Sequence, residues 1–261
     1  YTANSGTLTF NPGETANTVS VPINEDLLYE GPEAFYLNLS NPTNATISDD
    51  QGIGTIVDND PQPALSINDV IVNENDGAAT FTMSLSNPSS FPVTVNYSTA
   101  DGTAIAGEDY TANSGTLTFN PGETANTVSI PIIDDLIYEG DEAFYLNLSN
   151  PANATIIDGQ GIGTILNDDL PPELMVGALI DVVDATDDLP KATENSLIAS
   201  LDNATKVLKD SNPKNDVSAI NALQAFINKI EAQRGKKIPE EVANELIAKA
   251  QEIIITLNGK K

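Results

Sequence analysis

Apolar and polar residues alternate along Ala79-Thr80-Phe81-Thr82-Met83-Ser84-Leu85, along Val93-Thr94-Val95-Asn96-Tyr97 and along Thr116-Leu117-Thr118-Phe119. The same rhythm returns in Val128-Ser129-Ile130-Pro131-Ile132 and in Phe144-Tyr145-Leu146-Asn147-Leu148. A period of two buries one face of a strand and wets the other. Asn-Pro, Asp-Gly and Asn-Pro-Gly turns at 87–88, 101–102, 120–122 and 150–151 separate the runs. The pattern predicts about seven short strands in a two-sheet antiparallel sandwich over 61–169. Pro131, which cannot donate to a ladder, marks an edge or a bulge.

After Leu170-Pro171-Pro172-Glu173 the period lengthens. Leu197, Leu201, Ala204 and Leu208 follow a three-and-four spacing, as do Ile220, Leu223, Ile227 and Ile230, then Val242, Leu246, Ala250 and Ile253. Such stripes predict amphipathic helices, and a weaker first helix is predicted over 174–185. Pro190 and Pro239 suit first helical positions, and Gly235 can end a helix. Residues 174–261 therefore read as a bundle of three or four helices.

The chain repeats itself. Residues 1–60 align without a gap on 110–169, and 49 of the 60 positions are identical. Tyr1 matches Tyr110, Phe10 matches Phe119, Tyr29 matches Tyr138 and Asp60 matches Asp169. One whole repeat spans 61–169, and residues 1–60 are the second half of another, with about four strands by analogy. The expectation is the C-terminal piece of a longer array. The fold class expected is mainly β, sandwich repeats followed by an α-helical bundle.

Composition removes several chemistries. No cysteine means no disulfide, no thiolate nucleophile and no zinc-thiolate site; no histidine removes the commonest general base and transition-metal ligand. No apolar run reaches membrane-span length. With 38 acids against 11 bases the formal charge is −27, which repels nucleic acid. The placement matters more than the total. Residues 1–169 hold 24 Asp and Glu and no Lys or Arg; the first base is Lys191. No internal cation can neutralise a carboxylate cluster there.

The acids gather at strand ends: Glu74, Asp101, Asp134-Asp135, Glu139, Glu142 and Asp168-Asp169 in the whole repeat. In the half repeat they are Glu25-Asp26, Glu30, Glu33, Asp58 and Asp60. Oxygen-only, multiply charged ligand sets suit calcium, which takes about 6–8 oxygens in flexible geometry. Solvated turn acids and general solubility acidity are the alternatives. The latter would load the strand faces, yet these carry mainly Thr, Ser and Asn. Gly161-Ile162-Gly163 is followed by no Lys or helix, so it reads as a glycine-bulged last strand rather than a phosphate loop. Duplicated carboxylate pairs without Trp argue against glycoside hydrolysis.

Asn73-Glu74-Asn75, the run Tyr97 to Ala104 with Asp101-Gly102, Asp109-Tyr110, Ile132-Ile133-Asp134-Asp135, Tyr138 to Phe144 and the closing Gly163 to Asp169 together resemble a Calx-beta domain. The resemblance implies an immunoglobulin-like seven-strand sandwich with calcium at one end. The ligands it implies are Glu74, Asp101, Asp134, Asp135, Glu139, Asp168 and Asp169, with Glu142. Asn167 stands where the family often has the first of three acids, and Asn59 interrupts the equivalent triplet. Glu25 replaces Asp134 in the half repeat, which also lacks counterparts of Glu74 and Asp101. Ala225 to Gln233, before Gly235, resembles the FIMAH-type helical module; Phe226 and Ile227 read there as core.

The expected function is a non-enzymatic, calcium-binding structural or adhesion repeat of a larger secreted or surface bacterial protein. Calcium ions and other cell-surface or matrix proteins are the expected partners, and the expected location is extracellular or at the cell surface. The alternative is the non-catalytic stalk of an extracellular hydrolase. A calcium sensor on a membrane transporter is a third class, disfavoured by the terminal helical module.

Overall fold

The computed structural model describes residues 1–209 and 216–259. Residues 61–169 form a sandwich. One sheet has the order β10 (Thr155–Ile156), β3 (Ala64–Ile67), β5 (Ala78–Leu85), β8 (Ala125–Pro131). The other has β4 (Val70–Asn73), β11 (Gln160–Leu166), β9 (Glu142–Ala152), β6 (Val93–Asp101), β7 (Ser114–Phe119). Alternation fixes which faces meet. Phe81 and Met83 of β5, Ile130 of β8, Val95 of β6 and Phe144 and Leu146 of β9 are fully buried between the sheets. Tyr110 stacks on Phe144 at 4.4 Å, and Phe81 meets it edge-on at 5.9 Å. Such pairs add about 0.5–1.5 kcal/mol to the burial itself. Pro131 closes β8, an edge strand, where a missing N–H costs no ladder bond.

Nine strands replace the expected seven. The first splits at Asn68-Asp69 into β3 and β4, one in each sheet. The side chains at the crossing do what a ladder would: Thr82 N donates to Asn68 Oδ1 at 2.6 Å and Ile162 N to Asp69 Oδ1 at 2.8 Å. A short β10 adds the other. The glycine pair in β11 is not a bulge, since β11 pairs with β9 in unbroken register. A Cβ on Gly163 would lie 2.5 Å from the Phe144 ring, and one on Gly161 would lie 2.7 Å from Asn68 O. The glycines make room for the core. The irregularity lies instead between β6 and β9, at Thr94/Asn96.

The half repeat departs further from expectation. Only β1 (Glu33–Asn38) and β2 (Gln51–Ile56) form, as an antiparallel pair, rather than about four strands. Residues 5–10 and 16–22 correspond to β7 and β8 yet form no strand. In the whole repeat those strands pair with β6 and β5. Phe10 is 51% exposed, whereas Phe119 is 0%.

Among the described residues four helices follow, α1 (Pro172–Asp184), α2 (Lys191–Leu208), α3 (Asp216–Gln233) and α4 (Glu240–Gly259). Leu197, Leu201, Ala204, Leu223, Phe226, Ile230, Leu246, Ala250 and Ile253 form their common core, with Ile220 and Val242 at its edge. Pro190 sits one position before α2, and Gly235, at φ 66°, ends α3 in the left-handed region. No described helix is long and apolar enough to cross a membrane.

Candidate metal centre

One end of the sandwich collects the acids. β4 runs into a single 3-10 turn, Glu74–Asp76, in which Asn73 N donates to Asp76 Oδ2 at 2.7 Å and Gly77 supplies φ 80°. That turn buries Glu74 to 6% exposure. Opposite it the β8–β9 connection carries Asp134, Asp135 and Glu139. Ile137 N donates to Asp135 Oδ1 at 2.6 Å, and Glu139 N to Asn167 Oδ1 at 3.0 Å. Asn167 thus does at this strand end what Asp58 does in the half repeat, where Asp58 Oδ2 receives Glu30 N at 3.0 Å. The β6–β7 connection is pinned by Asp101, whose Oδ1 accepts from Tyr110 Oη at 2.6 Å and Ala106 N at 2.9 Å.

Two groups of three carboxylates result. In Glu74, Asp135 and Asp169, one oxygen from each lies within 4.8 Å of the others; Asp109, Glu139 and Glu142 meet the same limit. A small cleft lined by Glu74, Asp109, Glu139, Glu142 and Asn167 joins them. Burial, reinforced by the charges of Asp135 and Asp169, pushes the Glu74 carboxyl up to about 7. Burial also raises Glu142 to about 7, helped by its hydrogen bond to Asp109 and the charges of Asp109 and Glu139. Glu139 and Asp169 are raised for the same reasons, desolvation first and neighbouring carboxylates second. Asp169 Oδ2 is buried with no hydrogen-bond partner. The ion pairs among the described residues, at Lys191 and Arg234, all belong to the helical region. The sandwich end is an uncompensated negative pocket of oxygen ligands, a donor set fitted to a hard cation.

Not every predicted ligand enters a group. Asp134 and Asp168 lie near enough for their charges to raise Asp169, but neither belongs to a group of three. Asp101 is occupied by its hydrogen bonds, which hold its carboxyl below the usual range, Tyr110 contributing most. In the half repeat, Glu25, Asp26, Glu30, Asp58 and Asp60 line one cleft. Desolvation followed by like charge raises Glu30 and Asp60. No three of its acids come together as closely as those of the whole repeat. Asp109 was not among the predicted ligands. Its signal lay in Glu108-Asp109 beside Tyr110, but the turn that folds it toward Glu139 is long-range.

Sandwich and acidic end together define a β-sandwich module, antiparallel except for the pairs β3–β10 and β4–β11, that gathers loop carboxylates at one pole. The chain belongs to the Calx-beta domain family, whose profile matches residues 1–61 and 58–169. The FIMAH domain matches residues 175–255. Sodium/calcium exchanger 2 of Rattus norvegicus is 42% identical over 94 residues, which cover 36% of this chain and 10% of the exchanger. Sodium/calcium exchanger 1 of Canis lupus familiaris is 29% identical over 173 residues, 58% of this chain and 18% of the exchanger. The matches thus span between a tenth and a fifth of those relatives. Among solved structures, the apo-form Calx CBD1 domain is 32% identical with a TM-score of 0.40, covering 42% of this chain and 100% of that one. The calcium binding domain CBD12 of CALX1.1 is 33% identical with a TM-score of 0.38, covering 40% and 46%.

Proposed function

We propose that this chain is a calcium-binding structural repeat of a larger secreted or cell-surface protein, in which ions stiffen the sandwich end where one module meets the next. The observation that carries the reading is the pair of three-carboxylate groups in a region of 169 residues without a single Lys or Arg. Glu74, Asp135 and Asp169 would hold one ion, and Asp109, Glu139 and Glu142 a second. Asp134 and Asp168 flank the first group, and Asp101 fixes the loop that presents Asp109. The acids of the half repeat, Glu25, Asp26, Glu30, Asp58 and Asp60, form an incomplete counterpart. The reading involves no catalysis.

Carboxylates held apart from any cation repel one another, and a bound ion that favours the folded state stabilises it by mass action. With a Kd on the order of 10⁻⁵ M and free calcium near 1 mM, each ion contributes about 2.7 kcal/mol. Two approach the whole stability of a small domain. The test is calorimetric melting of the full chain in calcium, in magnesium and in chelator. The sandwich transition should rise by more than about 10 °C in calcium. Magnesium should substitute poorly, because it demands near-octahedral geometry and releases water reluctantly. A sandwich transition indifferent to all three would leave the acids as solvated turns.

A further inference from the structure

The residues between the acids of the β8–β9 loop face the helical bundle. Thr256 of α4 is fully buried and donates through Oγ1 to Leu136 O at 2.6 Å. Gly259 packs on Ile137 so closely that a Cβ there would lie 2.4 Å from Ile137 Cδ1. Ile137 N is the donor that holds Asp135 Oδ1, so the surface touched by α4 is the outer side of the turn that sets a candidate ligand. One helical turn before Thr256 stands Glu252, whose main-chain oxygen lies 3.2 Å from the same hydroxyl. Its carboxylate adds to the field around Asp169.

The equivalent loop in the half repeat clamps a quite different neighbour. Tyr29 N donates to Pro88 O at 3.0 Å, Ser90 N donates to Tyr29 O at 2.9 Å, and the Tyr29 and Phe91 rings meet edge-on at 6.0 Å. Both copies therefore use the segment between their acids to grip the module that follows, the β5–β6 connection through a bridge at Ser89 in one case and a helix in the other.

We infer that the helical bundle is part of the ion-binding unit: α4 braces the 134–139 loop through Thr256 and adds the negative charge of Glu252, so that bundle docking and ion occupancy reinforce each other. The inference rests on the calcium reading above. Its physical content is linkage: whatever docking does for ion affinity, the ion does for docking by the same factor. Bracing removes freedom the loop would otherwise lose when it closes on an ion, and Glu252 enlarges the attraction for a cation.

The experiment uses the full chain. Titration with calcium chloride compares wild type with Thr256→Val, Glu252→Gln and, as a control, Val217→Thr at an exposed site of α3. Hydrogen exchange of the 252–258 amides is followed in wild type with and without calcium. Thr256→Val and Glu252→Gln should each weaken calcium by about fivefold or more, the lower end of ordinary coupling, while Val217→Thr binds like wild type. Calcium should slow exchange in 252–258. If wild type binds calcium but neither variant differs and exchange is unmoved, the coupling is overturned and the ion reading stands. If wild type binds no calcium, both fall.

Discussion

The hydroxyl of Tyr110 reaches Asp101 Oδ1 at 2.6 Å while its ring lies against Phe144, 4.4 Å between centroids. One side chain thereby ties the acidic end to the apolar core. The phenol is pushed up to about 12 by burial and by Asp101, so it remains a donor at every physiological pH. Hydrogen bonds to a charged partner are worth about 1.5–3 kcal/mol. Tyr110→Phe keeps the stacking and removes only the bond, so it should cost a loss in this range in urea unfolding. Calcium affinity should fall as well, because the 105–110 turn also carries Asp109. A variant as stable as wild type would mean that water replaces the phenol without cost.

Phe10 and Phe119 occupy identical sequence contexts and opposite environments, 51% and 0% exposed. Phe119→Ala should destabilise the sandwich by about 3–5 kcal/mol, the usual cost of emptying a buried aromatic site. Phe10→Ala should change the melt by less than about 0.5 kcal/mol, as exposed substitutions do. By the same reasoning residues 1–60 alone should give a collapsed or aggregating species with poor NMR dispersion. A sharp monomeric spectrum would contradict the absence of strands over 5–10 and 16–22.

Glu74 and Glu142 titrate near 7 in the folded chain against an ordinary 4.5. Between those values the folded state holds more protons than the unfolded one. The stability they contribute is complete below pH about 4.5 and is lost as pH rises through about 7. The calcium-free sandwich should therefore melt lower at pH 8 than at pH 5.5. Calcium displaces those protons, so its affinity should rise over the same interval and its binding at pH 6.5 should release protons into the buffer. Titrations in buffers of different ionisation enthalpy would count them; identical heats in every buffer would argue against protonated ligands.

Asp134→Asn with Asp135→Asn should remove the calcium heat of the ion assigned to Glu74, Asp135 and Asp169 in titration calorimetry and leave that of the second group. Asp141 lies in the same loop but belongs to neither carboxylate group; its Oδ1 accepts a long 3.3 Å bond from Asn167 N. Asp141→Asn should therefore bind nearly as wild type does. Equal binding by both variants would move the ions elsewhere.

The sequence by itself determined the class of each part, because local periodicity is what decides which face of a strand or helix is apolar. Phe81, Val95 and Phe144 announced a sandwich, Leu197, Leu223 and Leu246 a bundle. The repeat and the absence of any cation before Lys191 also stood in the sequence, and they pointed to one acidic pole. Sheet partnership was not legible there. Residues 5–10 and 114–119 share their residues, yet only the latter pair, because a strand's backbone bonds lie in another segment of chain. The core role of Gly163 depended on the Phe144 ring arriving from β9. Asp109 joined Glu139 and Glu142, and Asp101 turned to Tyr110, through loop geometry that no local spacing encodes. The grip of Thr256 on Leu136 spans 120 residues. Only tertiary structure could decide it, since contacts between modules depend on how two separately patterned surfaces meet.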